Sequence, residues 1–270
     1  MPQLAANLSM LFTELDFLDR FEAAARAGFR GVEYLFPYDF PMEQLRDRLE
    51  QNQLTQVLHN LPAGDWQAGE RGIACDPSRV GEFQEGVGQA IAYAKALGCG
   101  QVNCLAGIAP NGIDEGTLRE TFVSNQTFAA NELAKADITL LIEPINTRDI
   151  PGFYLCHTQQ ALECMAAAGA SNLKLQYDAY HMQIMEGDLA QTIEGHMDRI
   201  GHIQIADNPG RNEPGTGEIN YSYLLPLLDR LGYAGWVGCE YRPLAATEDG
   251  LGWAAPFLHT RNKDNSRRKT

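Results

Sequence analysis

Short apolar runs alternate with longer amphipathic stretches along almost the whole chain. The apolar runs have the length of buried strands, and Val, Ile and Leu are frequent in them. We predict eight strands, over residues 4–8, 32–36, 56–61, 101–105, 139–144, 173–177, 202–206 and 236–241. Between them, apolar side chains recur at helical spacing, which predicts helices over residues 14–27, 42–52, 79–97, 118–136, 158–168, 189–200 and 221–231.

Four predicted helices end at a glycine that stands a few residues before the next strand. Glycine readily adopts the left-handed backbone conformation that ends many helices. We therefore predict helix C-caps at Gly28, Gly98, Gly169 and Gly232. The repeated unit of the chain is thus a strand, a helix and a glycine-ended return to the next strand.

Eight such units in about 260 residues match an α/β fold, the (β/α)8 TIM barrel. A doubly wound open sheet is the alternative, and it would normally carry a glycine-rich phosphate-binding turn after its first strand. The chain has no GxGxxG and no GxxxxGKS/T motif. We predict a single-domain TIM barrel over residues 1–258, followed by a basic tail over residues 259–270.

The composition is that of an ordinary globular protein, with 44% hydrophobic and 21% charged residues. No apolar run approaches the roughly 18–20 residues that cross a bilayer. The N-terminus lacks the basic region and cleavage pattern of a signal peptide. The six cysteines form no CxxC pair, which favours reduced thiols. These features predict a cytoplasmic protein without a membrane partner.

Charge narrows the range of partners further. The formal net charge is −14, and a protein this acidic is poorly suited to grip a phosphate backbone. We therefore expect no nucleic-acid partner. Residues 260–270 are the exception, with five Lys or Arg, and their polar composition is typical of a disordered end. The expected partner is a small molecule, and the sequence leaves open whether the chain forms a homo-oligomer.

Oxygen-bearing side chains stand at the ends of four otherwise apolar strands, namely Glu143, Asp178, Gln204 and Glu240. In a TIM barrel the carboxyl ends of the strands converge on the active site. Buried carboxylates need a partner, and the sequence places few cations near them. We predict that the four residues hold a divalent metal, with Mg²⁺ or Mn²⁺ expected because all the ligands are oxygens. The alternative for each is helix capping or pairing with a surface arginine.

Three further residues are candidates for substrate binding. His181 follows Asp178 by three residues and is placed in a loop over the site, while His59 stands near the end of the third strand. Arg211 lies in the loop after the seventh strand, where a guanidinium could hold a substrate carboxylate through two hydrogen bonds. Structural histidines and a solvated loop arginine are the alternatives.

The chain resembles the hydroxypyruvate isomerase family of the xylose-isomerase-like TIM barrel superfamily over about residues 3–257. Among the motifs are HNLPAGDW at 59–66, LIEPIN at 141–146 and GWVGCEY at 235–241. The other matching stretches are residues 6–12, 28–33, 70–75, 149–153, 176–178, 180–183, 204–209 and 213–221. Many superfamily members have histidine where this chain has Gln204, and the Arg–Asn–Glu spacing at 211–213 differs slightly from that of sugar epimerases.

The resemblance implies an isomerase that interconverts hydroxypyruvate and tartronate semialdehyde with the help of a metal. It implies metal ligation by Glu143, Asp178, Gln204 and Glu240, with Glu143 and Glu240 also carrying the proton between C2 and C3. A 2-oxo-tetronate isomerase would apply the same chemistry to a substrate one carbon longer. A sugar-type 3-epimerase and a non-catalytic barrel that binds carbohydrate acids are further alternatives.

Overall fold

Eight parallel strands pair in chain order, and β8 pairs with β1 to close the barrel. The computed structural model describes residues 2–258, so the predicted tail over residues 259–270 lies outside the described residues. The strands are β1 Gln3–Asn7, β2 Gly31–Glu33, β3 Thr55–Asn60, β4 Gln101–Cys104, β5 Thr139–Ile142, β6 Leu173–Asp178, β7 Ile200–Ile205 and β8 Trp236–Cys239. The predicted TIM barrel is confirmed.

Helices form the layer outside the barrel. They are α1 Arg20–Ala27, α2 Met42–Asn52, α3 Val80–Leu97, α4 Glu115–Ala134, α5 Thr158–Ala168, α6 Ala179–Met185, α7 Leu189–His196 and α8 Tyr221–Arg230, with 3₁₀ segments at Phe17–Asp19, Pro77–Arg79 and Thr247–Ala254. Gly28, Gly98 and Gly169 cap their helices in the left-handed conformation. In contrast, the C-cap of α8 is Leu231, and Gly232 follows it. No helix of the described residues is both long and apolar enough to cross a membrane.

Three differences from the predicted helices are larger than three residues. The first predicted helix is α-helical only from Arg20, because the preceding residues form turns and a 3₁₀ segment that ends the loop after β1. The predicted helix over residues 189–200 ends at His196, since the carbonyl of Arg199 already accepts a hydrogen bond from the amide of Leu175 in β6. The prediction also missed α6, which begins directly after β6 because the Asp178 side chain caps its first turn.

Side-chain alternation along the strands sorts the barrel interior into layers. Ala5, Leu141 and Trp236 pack together in an apolar cluster inside the barrel. Two residues further along β1 and β5 stand Asn7 and Glu143, which a period of two places on the same inner face. The interior is therefore polar toward the carboxyl ends of the strands, where active sites of this fold lie, and apolar further from them.

Candidate active site

A cavity of about 650 Å³ lies among the loops that follow the strands. Glu143 comes directly after β5 and Glu240 directly after β8, and both line this cavity. Glu143 is 4% exposed and Glu240 is 7% exposed. The two carboxylates predicted to move a proton therefore face the same cavity.

Two glutamines connect these glutamates through hydrogen bonds. Gln176 Nε2 donates to Glu143 Oε2 at 2.8 Å and to Gln204 Oε1 at 2.6 Å. Gln204 Nε2 in turn donates to Glu240 Oε2 at 2.5 Å and to Glu33 Oε1 at 2.8 Å. Gln204 thus lies where it was expected, with its amide nitrogen facing the carboxylates and its oxygen facing Gln176.

Arg211 places its guanidinium among the carboxylates. Its Nη2 donates to Glu240 Oε1 at 2.6 Å and lies 3.9 Å from Asp178 Oδ2. The guanidinium carbon lies 5.2 Å from the ring centroid of Tyr180, within the range of a cation–π contact. The side chain is only 14% exposed. Arg211 therefore reaches the site as predicted, and its charge already compensates Glu240.

Asp207 fixes the loop that carries Arg211. Its Oδ1 accepts from the backbone amides of Asn208 and Ile219, both at 3.0 Å. Its Oδ2 accepts from the amides of Gly215 at 2.8 Å and Gly217 at 2.9 Å. Four amides on one carboxylate tie both ends of the loop together, so the loop is held in place before any ligand arrives.

His181 lies in α6 rather than in a loop, and it is 2% exposed. Asn146 Oδ1 accepts from the amide of Asp149 at 2.7 Å, which turns Asn146 Nδ2 toward His181 Nδ1 at 2.6 Å. Nδ1 is then an acceptor, and the proton of the neutral ring sits on Nε2. Burial, and then the charge of Arg211, lowers the pKa of His181 well below its usual value. His181 therefore presents a neutral N–H donor to the site.

Asp178 belongs to a group of side chains suited to a cation. Its Oδ2 is buried without a hydrogen-bond partner, and an ionised oxygen in that situation normally has a positive partner. Ligand atoms of Glu143, Asp178 and His181 all lie within 4.8 Å of one another. The carboxylate oxygens of Glu143 and Asp178 fit a metal ion, whereas His181, with its proton on Nε2, is left out of the ligand set.

The carboxylates of the site repel one another in a buried environment. Burial, and then the charges of Glu240 and Asp178, raises the pKa of Glu143 well above its usual value. Burial raises the pKa of Glu240 to about 8, with Arg211 opposing the rise and Asp178 adding to it. A carboxyl group with a pKa near 8, such as Glu240, suits acid–base work near neutral pH.

His59 does not reach the cavity. Asn60, the next residue of β3, lines the cavity and pairs in register with Asn103, whereas His59 pairs with Val102 on the opposite face. The His59 ring packs 6.2 Å from the ring of Tyr38, and burial lowers its pKa to about 3. The structure therefore separates His59 from the other predicted site residues.

Several polar residues beneath the cavity were not predicted as site residues. Glu33 accepts from Asn7 Nδ2 at 3.1 Å, and its Oε2 lies 2.8 Å from His202 Nε2. Gly238 provides space for it, since a Cβ there would lie 2.7 Å from Glu33 Cδ. Asn103 Nδ2 donates to Glu143 Oε2 at 3.0 Å. These residues could have been identified from the alternation of side chains along the strands, because each of them stands on an inward-facing position.

Comparisons with known proteins agree with this architecture. A family profile described as xylose isomerase-like TIM barrel matches residues 21–257. The chain is 58% identical to hydroxypyruvate isomerase of Escherichia coli over 257 residues, which cover 95% of this chain and 100% of the relative. It is 50% identical to 2-oxo-tetronate isomerase of Cupriavidus necator over 258 residues, covering 96% and 99%.

A solved structure of high similarity is the crystal structure described as AP endonuclease, family 2, from Brucella melitensis. It superposes with a TM-score of 0.94 at 48% identity and covers 96% of this chain and 100% of its own. The whole-length identity to curated isomerases and the family match lead to one conclusion. The chain is an isomerase that belongs to the xylose isomerase-like TIM barrel family.

Proposed function

We propose that the protein interconverts hydroxypyruvate and tartronate semialdehyde by moving a proton between C3 and C2. The observation that carries this proposal is the pair Glu143 and Glu240, which face one cavity from strands that stand three apart in the ring of eight. The name of the relative from Escherichia coli, at 58% identity, supports this choice of substrate.

The two glutamates supply the acid and the base. In the direction from hydroxypyruvate, one ionised carboxylate takes the proton from C3, a C2–C3 double bond forms, and O2 gains a proton. The second half returns a proton to C2 while the O3 proton leaves, so that the carbonyl stands at C3. The pKa of Glu240, raised to about 8, makes its protonated and ionised forms both available near neutral pH, and the pKa of Glu143 is raised as well. Such groups typically contribute about 10²–10⁴-fold each.

His181 and Arg211 are the proposed substrate-binding residues at this end of the cavity. His181 Nε2 lies 3.8 Å from Glu143 Oε1, and Arg211 Nη2 lies 3.5 Å from the same histidine nitrogen. An N–H donor and a guanidinium therefore converge beside the carboxylates. Both can stabilise negative charge that develops on a substrate oxygen during proton removal. His59 has no place in this proposal, because it faces the outer layer.

We propose Glu143, Asp178, Gln204 and Glu240 as the ligands of a divalent metal, Mg²⁺ or Mn²⁺. The Oδ2 of Asp178, which has no hydrogen-bond partner, and the excess of buried carboxylates over cations support this set. When bound, such an ion polarises the carbonyl and hydroxyl oxygens of a substrate. Gln204 Oε1 keeps a free lone pair beside its hydrogen bond from Gln176, so the amide can still act as a ligand.

A substrate one carbon longer is the second candidate. The cavity of about 650 Å³ leaves room beyond a three-carbon acid, and the relative from Cupriavidus necator is named 2-oxo-tetronate isomerase. The chemistry at Glu143 and Glu240 would be unchanged.

Cytoplasmic location and the absence of a nucleic-acid partner are further parts of the proposal. All six cysteines are free thiols, in keeping with a reducing compartment. The net charge of −14 argues against a DNA-repair activity. A place in glyoxylate metabolism would follow from the three-carbon substrate.

The purified protein should be assayed with hydroxypyruvate and with four-carbon 2-oxo acids, before and after exhaustive chelation. Turnover of hydroxypyruvate with the higher kcat/KM supports the proposal. A higher value with the four-carbon acids would favour the second candidate, and turnover of neither would refute both. Activity that is lost on chelation and returns with Mg²⁺ or Mn²⁺ supports the metal, whereas full activity after chelation would contradict it.

A further inference from the structure

A second arginine faces the same cavity as the two glutamates. Arg71 lies in the loop between β3 and α3 and lines the cavity together with Asn60 and Trp66. In the closed order of eight strands, β3 stands four strands from β7, whose loop carries Arg211. The two arginines therefore approach the mouth of the barrel from opposite sides.

Arg71 is held rigidly by its own loop. Its guanidinium carbon lies 4.1 Å from the ring centroid of Trp66, and that ring packs edge-on against Phe36 at 5.0 Å. Nη1 donates to the carbonyl of Trp66 at 3.1 Å and to the carbonyl of Glu70 at 2.7 Å. Both hydrogens of Nη1 are thus used, while Nε–H and the Nη2 hydrogens keep the fork geometry that a carboxylate accepts.

The loop backbone is fixed as well. The residue after Arg71, Gly72, donates its amide to the carbonyl of Ala63 at 3.0 Å and forms a bridge with Ala106 beyond β4. Gly72 adopts a φ of 110°, and a Cβ there would lie 2.7 Å from the carbonyl carbon of Leu105. Only glycine allows the backbone at residue 72 to come this close to Leu105. This contact also fixes the position of the neighbouring Arg71 backbone.

The charge of Arg71 has no carboxylate partner among the residues that the structure describes. The adjacent acid is committed elsewhere, since Glu70 pairs with Arg79 and accepts from the amide of Asp65 at 2.5 Å. Arg211 differs in this respect, because Glu240 already occupies its Nη2. A third arginine of the cavity, Arg242, also has no carboxylate partner among the described residues, but Arg71 is the one whose guanidinium is held in place by Trp66 and two backbone carbonyls.

We propose that Arg71 binds the carboxylate of the substrate and so selects acids over neutral sugars. The inference rests on the proposed function, in which the substrate is a short 2-oxo acid. The protein carries a net charge of −14, so long-range attraction does not draw an anion to it and a local cation must do so. Arg211 then remains at the reacting oxygens, while Arg71 holds the far end of the molecule.

The test uses Arg71→Gln and Arg71→Lys with two reference variants. Arg46→Gln removes one positive charge from an exposed position on α2 and controls for net charge. Arg242→Gln removes the rival arginine that also lines the cavity.

Steady-state kinetics with hydroxypyruvate should show KM raised about 10- to 150-fold in Arg71→Gln, the range for a charged hydrogen bond. The kcat should change less than about threefold, because Arg71 does not touch the reacting atoms. The KM of Arg71→Lys should lie between those of the wild type and Arg71→Gln, since the ammonium group of lysine cannot make the paired hydrogen bonds of a guanidinium.

Two competing probes separate carboxylate binding from a general loss of loop structure. Pyruvate has the carboxylate but no C3 hydroxyl, and hydroxyacetone is neutral. We expect the inhibition constant of pyruvate to rise as much as KM in Arg71→Gln, with that of hydroxyacetone unchanged. An equal rise for both probes, an unchanged KM, or the same loss in Arg242→Gln instead would overturn the inference.

Failure of the proposed function would be visible separately. If the wild-type protein does not turn over hydroxypyruvate, the proposed function fails, and pyruvate binding to wild type and Arg71→Gln is then measured by calorimetry. Weaker binding in the variant would still support an anion site at Arg71. No pyruvate binding to the wild type would refute it.

Discussion

Replacing Glu240 by glutamine removes one of the two proposed proton carriers and keeps the shape of the side chain. In the structure Glu240 Oε1 accepts from Arg211, and Oε2 accepts from Asn7 at 3.0 Å and Gln204 at 2.5 Å. A glutamine oxygen can retain the Asn7 and Gln204 contacts, but its amino group would then face the guanidinium. The ionic contact to Arg211 is lost, while the packing is preserved.

The opposing energies are of similar size, so we expect the fold to survive. A charged hydrogen bond contributes about 1.5–3 kcal/mol to stability. Against this, the pKa of Glu240 rises from 4.5 to about 8 on folding, which costs the wild-type protein roughly 3 kcal/mol at pH 7. The variant is spared that cost. The catalytic loss has no such compensation, and losing a proton carrier should lower kcat about 10²-fold or more, equivalent to about 3 kcal/mol.

Proton NMR in D₂O with each of the two substrates measures the catalytic outcome. Glu240→Gln and Glu143→Gln should each lose overall isomerisation. The variant that keeps the C3 base should still exchange the C3 hydrogens of hydroxypyruvate, and the other should still exchange the C2 hydrogen of tartronate semialdehyde. Glu163→Gln, an exposed change on α5, is the matched control, and thermal unfolding checks the fold. Turnover within a few-fold of wild type in either glutamate variant would refute the role of that residue.

Three further outcomes test the site. Metal affinity should rise with pH up to about 8, because Glu240 must lose its proton to become a ligand. Calorimetry of metal binding in two buffers should show proton release at pH 7. A metal affinity that does not change with pH would contradict this. His181→Asn should lower kcat about 10-fold or more with little change in KM; a change confined to KM would contradict its role at the reacting oxygens. Asp207→Asn should lose two of four amide contacts, lowering the melting temperature and raising KM; unchanged values of both would show that this carboxylate does not hold the loop.

The wild-type stability should also depend on pH through the same carboxylates. The folded-state pKa of Glu240 lies above the unfolded value, so its protonated form is favoured by folding. This stabilisation is complete below pH 4.5 and is lost as pH rises through about 8. Thermal unfolding of the metal-free protein across this range should show the decline, and Glu240→Gln should flatten it. An identical slope in both proteins would contradict the burial argument.

The barrel and the strand-end residues could be predicted because both depend on local periodicity. A period of two along an apolar strand decides which side chains share a face, and the carboxyl ends of parallel strands must converge. Glu143, Asp178, Gln204 and Glu240 were therefore identifiable as neighbours although up to 97 residues separate them.

Pairing between distant segments decided the rest. Whether His59 or Asn60 faces inward depends on the register of β3 against β4, and a register shift also occurs between β2 and β3. The neutral state of His181 follows from Asn146 and from burial beneath Arg211. The free donors of Arg71 depend on Trp66, Glu70 and Arg79 together. Sequence spacing specifies which face of an element is buried, but the charge state and orientation of a side chain depend on partners that only the closed barrel brings within a few ångströms.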